Sequence, residues 1–187
     1  MAKYNLIGVE NNNNSNKCAR GSKRAMSTID INHRNNHDGY LYSIPFFKTV
    51  SSSSYAVLWL ESSSTKLEIH LYLNYSADNA GYLDIWKGAV SATSQWVSII
   101  PVNANGWSTN AAQVTAYSGG VPSTSTATLL HIESVGSGGK QTGGGTGGLI
   151  NEIIMTPAST YAIRFVCTST EADVSFSINF YEEDVEG

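Results

Sequence analysis

Apolar and polar positions alternate with a period of two over most of this chain. Lys66–Tyr75 is the clearest case: Leu67, Ile69, Leu71, Leu73 and Tyr75 fall on one face and polar residues mostly on the other. That period belongs to a half-buried β-strand. Ile29 and Ile31 alternate in the same way, and so do Tyr40, Tyr42 and Ile44 ahead of Pro45-Phe46-Phe47; both stretches predict strands. Tyr55-Ala-Val-Leu-Trp-Leu60 is a continuous apolar run and predicts a strand buried on both faces. Further strands are expected at Tyr82–Trp86 after the turn Ala77–Gly81, and at Trp96–Ile100, which Pro101 ends. Leu129–Glu133, Leu149–Met155, Thr160–Cys167 and Val174–Tyr181 complete the series. The total is about nine or ten short strands with turn signals between them, the pattern of a sandwich or jelly roll. Helical spacing is nearly absent, and only Ser108–Val114 suggests a single helical turn. No fixed repeat supports a propeller. The expected fold is all-β: an antiparallel, jelly-roll-like β-sandwich with an extended N-terminal arm.

The texture divides the chain into three parts: a basic, Asn-rich arm at 1–26, the sandwich domain at 27–182, and an acidic tail at 183–187. The arm holds one apolar patch, Tyr4–Val9, followed by the polar run Asn11–Asn16. It buries too little apolar surface to order itself. The patch is either terminal disorder or a segment that adds as a strand to a neighbouring subunit. A chain of 187 residues suits one domain plus appendages. Residues 103–125, rich in Asn, Ser, Thr and Gly, read as a long loop holding Trp107 and Tyr117. Loops of that length are usually functional or interfacial.

Charge changes the picture mainly at the termini. Only 14% of residues are charged, against about 25% in an average domain. The net charge of −4 hides a polarity. Lys3, Lys17, Arg20, Lys23 and Arg24 face only Glu10 in the arm, whereas the chain ends on Glu182, Glu183, Asp184 and Glu186. A basic arm on an acidic body suits an acidic partner surface or nucleic acid; the plainer reading is a solvated tail. Cys18 and Cys167 lie in unlike contexts, so neither a disulfide nor a metal motif is expected. No run approaches the ~20 apolar residues of a membrane span. The first residues lack the apolar core of a signal peptide, which predicts a protein used without secretion.

Several candidate chemistries can be weighed. Gly143-x-Gly145-x-x-Gly148 matches a dinucleotide fingerprint, but the residues after it read as strand, not as the helix whose N-terminus would hold phosphate. Lys140 is followed by Gln141, where a P-loop needs Ser or Thr. The glycine run therefore reads as a flexible inter-strand loop. His33 and His37 have the i, i+4 spacing of a zinc pair but sit in a strand-to-loop context; His70 and His131 occupy polar-facing strand positions. Asp38, Glu68, Asp84, Glu133 and Glu152 are spread singly, unlike the paired carboxylates of glycoside hydrolysis, although Trp59, Trp86, Trp96 and Trp107 are of a type that stacks on sugars. No nucleophile elbow occurs. Arg164, in mid-strand, is expected to face solvent, to pair across strands, or to pair with an acid such as Glu152 of a neighbour.

The order of these features resembles a known family. His37-Asp-Gly-Tyr40, Leu83-Asp-Ile-Trp-Lys-Gly88, the polar segment Asn103–Gly106 and Thr124-Ser-Thr-Ala-Thr128 precede the glycine run. Ile150-Asn-Glu-Ile-Ile-Met155 with Pro157, Thr160-Tyr-Ala-Ile-Arg-Phe165 and Ser177-Ile-Asn-Phe-Tyr-Glu182 follow it. Over roughly residues 27–182 this looks like the decoration, or cement, proteins of tailed bacteriophages. Leu129–Glu133 adds nothing distinctive, and the arm lies outside the shared pattern. The resemblance implies a non-enzymatic jelly-roll subunit without cofactor, commonly a homotrimer. It would be made in the host cytoplasm and bound to the major capsid protein on the outer surface of the virion. Neither nucleic acid nor membrane is an implied partner. Lys17, Arg20, Lys23 and Arg24 are the candidate capsid or neighbour contacts. The alternative is a carbohydrate-binding or host-adhesion module of a phage fibre, with Trp107 and Tyr117 as the glycan platform. A jelly-roll hydrolase is a third reading.

Overall fold

The structure is a computed structural model, and it describes residues 31–62, 67–91, 96–135 and 149–184. Among the described residues one helix, α1 (Ile31–Asp38), precedes thirteen strands. These are β1 (Leu41–Ser51), β2 (Tyr55–Glu61), β3 (Leu67–Ala77), β4 (Gly81–Lys87), β5 (Val90–Ser91), β6 (Val97–Ile99) and β7 (Val102–Asn103). After them come β8 (Thr115–Ser118), β9 (Pro122–Ser123), β10 (Thr128–Val135), β11 (Leu149–Met155), β12 (Thr160–Cys167) and β13 (Glu171–Asp184).

The strands form two packed antiparallel sheets, ordered β11-β3-β13-β1-β7 and β10-β4-β12-β2-β8-β6, and β5 pairs with β9 alone. Of the eight long strands in chain order, the first, eighth, third and sixth share one sheet. The second, seventh, fourth and fifth share the other. Two interlocked Greek keys of this kind define a jelly roll, and the expected all-β sandwich is what the chain forms.

The period-2 faces meet between the sheets. Ile69, Leu71, Leu73 and Tyr75 of β3 and Phe176, Ile178 and Phe180 of β13 pack against Leu58, Leu83, Ile85, Ile163 and Phe165 of the opposite sheet. Tyr42 stacks on Phe180 and Phe46 on Phe176, with ring centroids 5.2 Å and 5.3 Å apart. Burying each of these large side chains contributes about 1.5–3 kcal/mol. β2 is buried on both faces for a specific reason. Ala56, Leu58 and Leu60 enter this core, whereas Val57 and Trp59 face outward into a second cluster with Ala89 and Ala162, packed by Trp96, Tyr117 and Ala127. Pro45 sits inside β1 opposite Ser177, and β7 pairs β1 only at Tyr42 and Ser43. The missing proline N–H thus falls beyond the stretch that β7 pairs.

Three expectations need correction. The stretch holding Ile31, His33 and His37 is helical, not a strand entering a loop; Ile29 lies outside the described residues. Asn and His residues form strands poorly, and Gly39 supplies the stop. Its φ of +78° lets its N–H donate to the Asn36 carbonyl, at 3.1 Å, and the Tyr40 N–H to the Asn35 carbonyl, at 2.8 Å. This pair of bonds is a Schellman cap. Ser108–Val114 makes no helical turn, because its side chains bond to the α1–β1 junction instead. Residues 103–125 are not one loop, since β8 and β9 lie within them. Among the described residues no helix is long and apolar enough to cross a membrane.

Candidate functional site

Among the described residues the most exposed large apolar side chain is Trp107, at 97%. Its loop is held tightly. The Asn103 side-chain amide donates to the Gly39 carbonyl at 2.9 Å and to the Asn110 carbonyl at 3.2 Å. Asn103 Oδ1 accepts from the Asn105 N–H at 2.9 Å, and Asn105 Oδ1 accepts from the Trp107 N–H at 3.0 Å. Asn105 Nδ2 reaches the His37 carbonyl at 3.2 Å, and Asn110 Nδ2 reaches that of Gly39 at 3.2 Å. Short amide side chains bond readily to nearby backbone and fix irregular chain at little entropic cost. The same loop is clamped at its far end by Glu182, whose carboxylate accepts from the N–H groups of Gln113 (2.6 Å) and Val114 (3.2 Å). Burial pushes the Glu182 carboxyl above its ordinary range despite these donors. Tyr42 is raised to about 12, chiefly by burial and secondly by the Glu182 charge.

Tyr117 does not share this exposure. It lies in β8, paired to Trp59 of β2, and its ring meets Trp96 edge-on at 5.0 Å. Trp96 in turn packs on Trp59, which is buried and donates Nε1–H to the Gly119 carbonyl at 2.7 Å. Trp59, Trp96 and Tyr117, with Trp86 at the margin, are packing residues of the outer cluster. Of the aromatics singled out in the sequence, Trp107 alone stands free of packing.

Three of the acidic residues singled out in the sequence, Asp84, Glu133 and Glu152, are engaged locally. Asp84, only 1% exposed, receives Arg164 across β4 and β12, with Nε at 3.0 Å and 3.2 Å and Nη2 at 2.5 Å. The cross-strand reading of Arg164 is therefore the one realised, within a single chain. Its hydrogen bonds to Asp84 hold the guanidinium above its usual range. Within the chain, Glu152 is bonded to other residues. Its Oε1 accepts from Tyr72 (2.8 Å) and Tyr181 (3.1 Å) and contacts His70 Nδ1 at 2.8 Å. These bonds, led by that from Tyr72, hold its carboxyl below the usual value, and Tyr181 is pushed up chiefly by burial and then by the Glu152 charge. His70 stacks on Tyr181 at 4.6 Å. Glu133 accepts from Tyr75 at 2.5 Å and lies 3.4 Å from His131. Tyr75 reaches Glu133 from the opposite sheet, so this bond ties the two sheets where β10 and β3 face each other. No group of three or more His, Cys, Asp or Glu suited to a metal occurs among the described residues.

Two sequence candidates lie outside the described residues: the arm with Lys17, Arg20, Lys23 and Arg24, and the glycine run 136–148. What sequence reasoning missed is the Asn/Ser scaffold beneath Trp107. The signal was available, because Asn103, Asn105, Ser108 and Asn110 alternate around the tryptophan as turn-forming residue types.

No family model matches this chain, and neither a curated protein nor a solved structure matches it, so the likeness to phage decoration proteins rests on the order of its motifs.

Proposed function

We propose that this protein is a structural subunit that binds the outside of an assembled phage capsid and stabilises it. The observation that carries the reading is Trp107. An exposed tryptophan on a loop pinned by at least six hydrogen bonds is a preorganised anchor, because little loop entropy remains to be lost on binding. Tryptophan is also among the residues that most often dominate interface energy. The jelly-roll topology and the sequence resemblance agree with the reading, since this architecture recurs in viral shell proteins. A ligand that binds only the assembled shell stabilises that shell by mass action, and repeated copies make modest single contacts sufficient.

Glycan adhesion is the second reading, and the same residue favours it, because an exposed indole face also stacks on sugar rings. One titration separates the two. Tryptophan fluorescence of the wild type and of Trp107→Ala is compared while expanded capsid shells and, separately, host surface polysaccharides are added, so that the difference between the two reports Trp107. Binding to shells alone supports decoration. A response to polysaccharide alone replaces it with adhesion.

A further inference from the structure

The exposed apolar side chains concentrate on two open edges of the sandwich. On one side β10 ends its sheet, with Leu129, Leu130 and Ile132 exposed, and the neighbouring edge strand β11 adds Ile154. On the opposite side β6 and β7 end the two sheets, with Val97 and Val102 exposed beside Ile100, which is 81% exposed. β10 is paired only to β4 among the described residues, and along its eight residues every position but His131 and Val135 is exposed. It holds no Lys and no Pro, and its only irregularity is the register shift between Leu129 and His131. A long apolar edge with so little protection invites pairing with another chain.

We propose that a second copy of this chain covers it: copies join head to tail, the β6–β7 edge of one against the β10 edge of the next. Two observations favour that occupant. First, each copy offers two different apolar edges on opposite sides, and such heterologous contacts close into rings when the rotation permits. Second, all five pairings of the six-stranded sheet are antiparallel, so β6 and β10 run in opposite directions. A rotation about an axis along the strands then sets β6 antiparallel to β10 of the next copy. The inference rests on the reading of the chain as a self-assembling surface subunit and gives that reading an interface.

The test uses the full chain with one charge placed on each edge, Ile132→Lys on β10 and Ile100→Lys beside β6. Both side chains are exposed, so circular dichroism and the melting temperature should stay at wild-type values; Leu130→Lys and Val97→Lys replace them if either variant misfolds. By sedimentation velocity the wild type is expected to be a closed oligomer, and each variant alone to associate at least about tenfold more weakly. Mixed one to one, the two variants are expected to form a dimer, because each still carries the intact edge that the other needs. A monomeric wild type overturns the proposal, as does an oligomer that both variants leave unchanged. Loss of association in Ile132→Lys alone points to β10 meeting β10 and also overturns it, and so does a mixture that stays monomeric. Intact rings that ignore capsid shells would refute decoration while leaving this interface standing.

Discussion

Phe180, in the middle of β13, is fully buried and stacks on Tyr42 at 5.2 Å, whereas Trp107, on its loop, is 97% exposed. Both are large aromatics on rigid backbone. One is fixed by packing between sheets and the other by hydrogen bonds beneath it. The difference assigns their roles: the first holds the sandwich together, and the second leaves a large apolar surface in water that a partner can cover. Substitutions should accordingly divide. Interior changes should move stability, and edge or loop changes should move association.

The largest stability effect is expected in the interior. Phe180→Ala should lower unfolding free energy by about 3–5 kcal/mol, read by urea titration. A loss under about 1 kcal/mol would mean that the two sheets do not pack as described. Asp84→Ala comes next, at about 3 kcal/mol, because it strands a largely buried guanidinium. The paired change Asp84→Leu with Arg164→Met should be milder than either single removal, since it leaves no unpaired charge. Gly39→Ala should cost about 1–2 kcal/mol. A Cβ there meets a φ of +78° and the side chain of Ser108. It should also raise the mobility of Trp107, seen as lower fluorescence anisotropy, because the Gly39 carbonyl anchors the loop.

Two carboxylates sharpen the same contrast through pH. Glu152 is held below the ordinary Glu value of 4.5 by its tyrosine and histidine partners. Its contribution is therefore present above 4.5 and lost as pH falls through the lowered value. The stability gap between wild type and Glu152→Gln should close on acidification. Glu182 is raised by burial, so folding favours its protonated form. Relative to wild type, Glu182→Gln should gain stability as pH rises from 4.5 through the raised value. Denaturant melts across pH read both slopes, and equal signs would contradict the assignment. The smallest stability effect belongs to Trp107→Ala, within about 0.5 kcal/mol, although its effect on partner binding should exceed about 2 kcal/mol.

The sandwich was legible in the sequence wherever one face is buried. Leu67–Tyr75 and Val174–Tyr181 alternate cleanly because each strand has one inner and one outer side. Tyr55–Leu60 was legible as doubly buried, but what covers its outer face was not. That cover is built from Trp96, Tyr117 and Ala127, which lie far along the chain. The helix is hidden in the sequence because Ile29 and Ile31 mimic alternation over too few residues, while the signal that marks it is Gly39 as a helix stop. Trp107 and Tyr117 look alike in the sequence, because both sit among Asn, Ser and Thr in the segment 103–125. Only strand pairing separates them, since Tyr117 lies opposite Trp59 and meets Trp96. For Arg164 the sequence offers a cross-strand pair without naming the acid, and the register sets Asp84 directly across from it.

The most direct test of the account is the heat stability of the particle itself. Calorimetry compares expanded shells free of this protein with the same shells after its addition. The account predicts stoichiometric uptake and a clear rise in the shell melting temperature, with both effects strongly reduced for Trp107→Ala even though that variant folds normally. Shells that melt at the same temperature with and without the protein would contradict it.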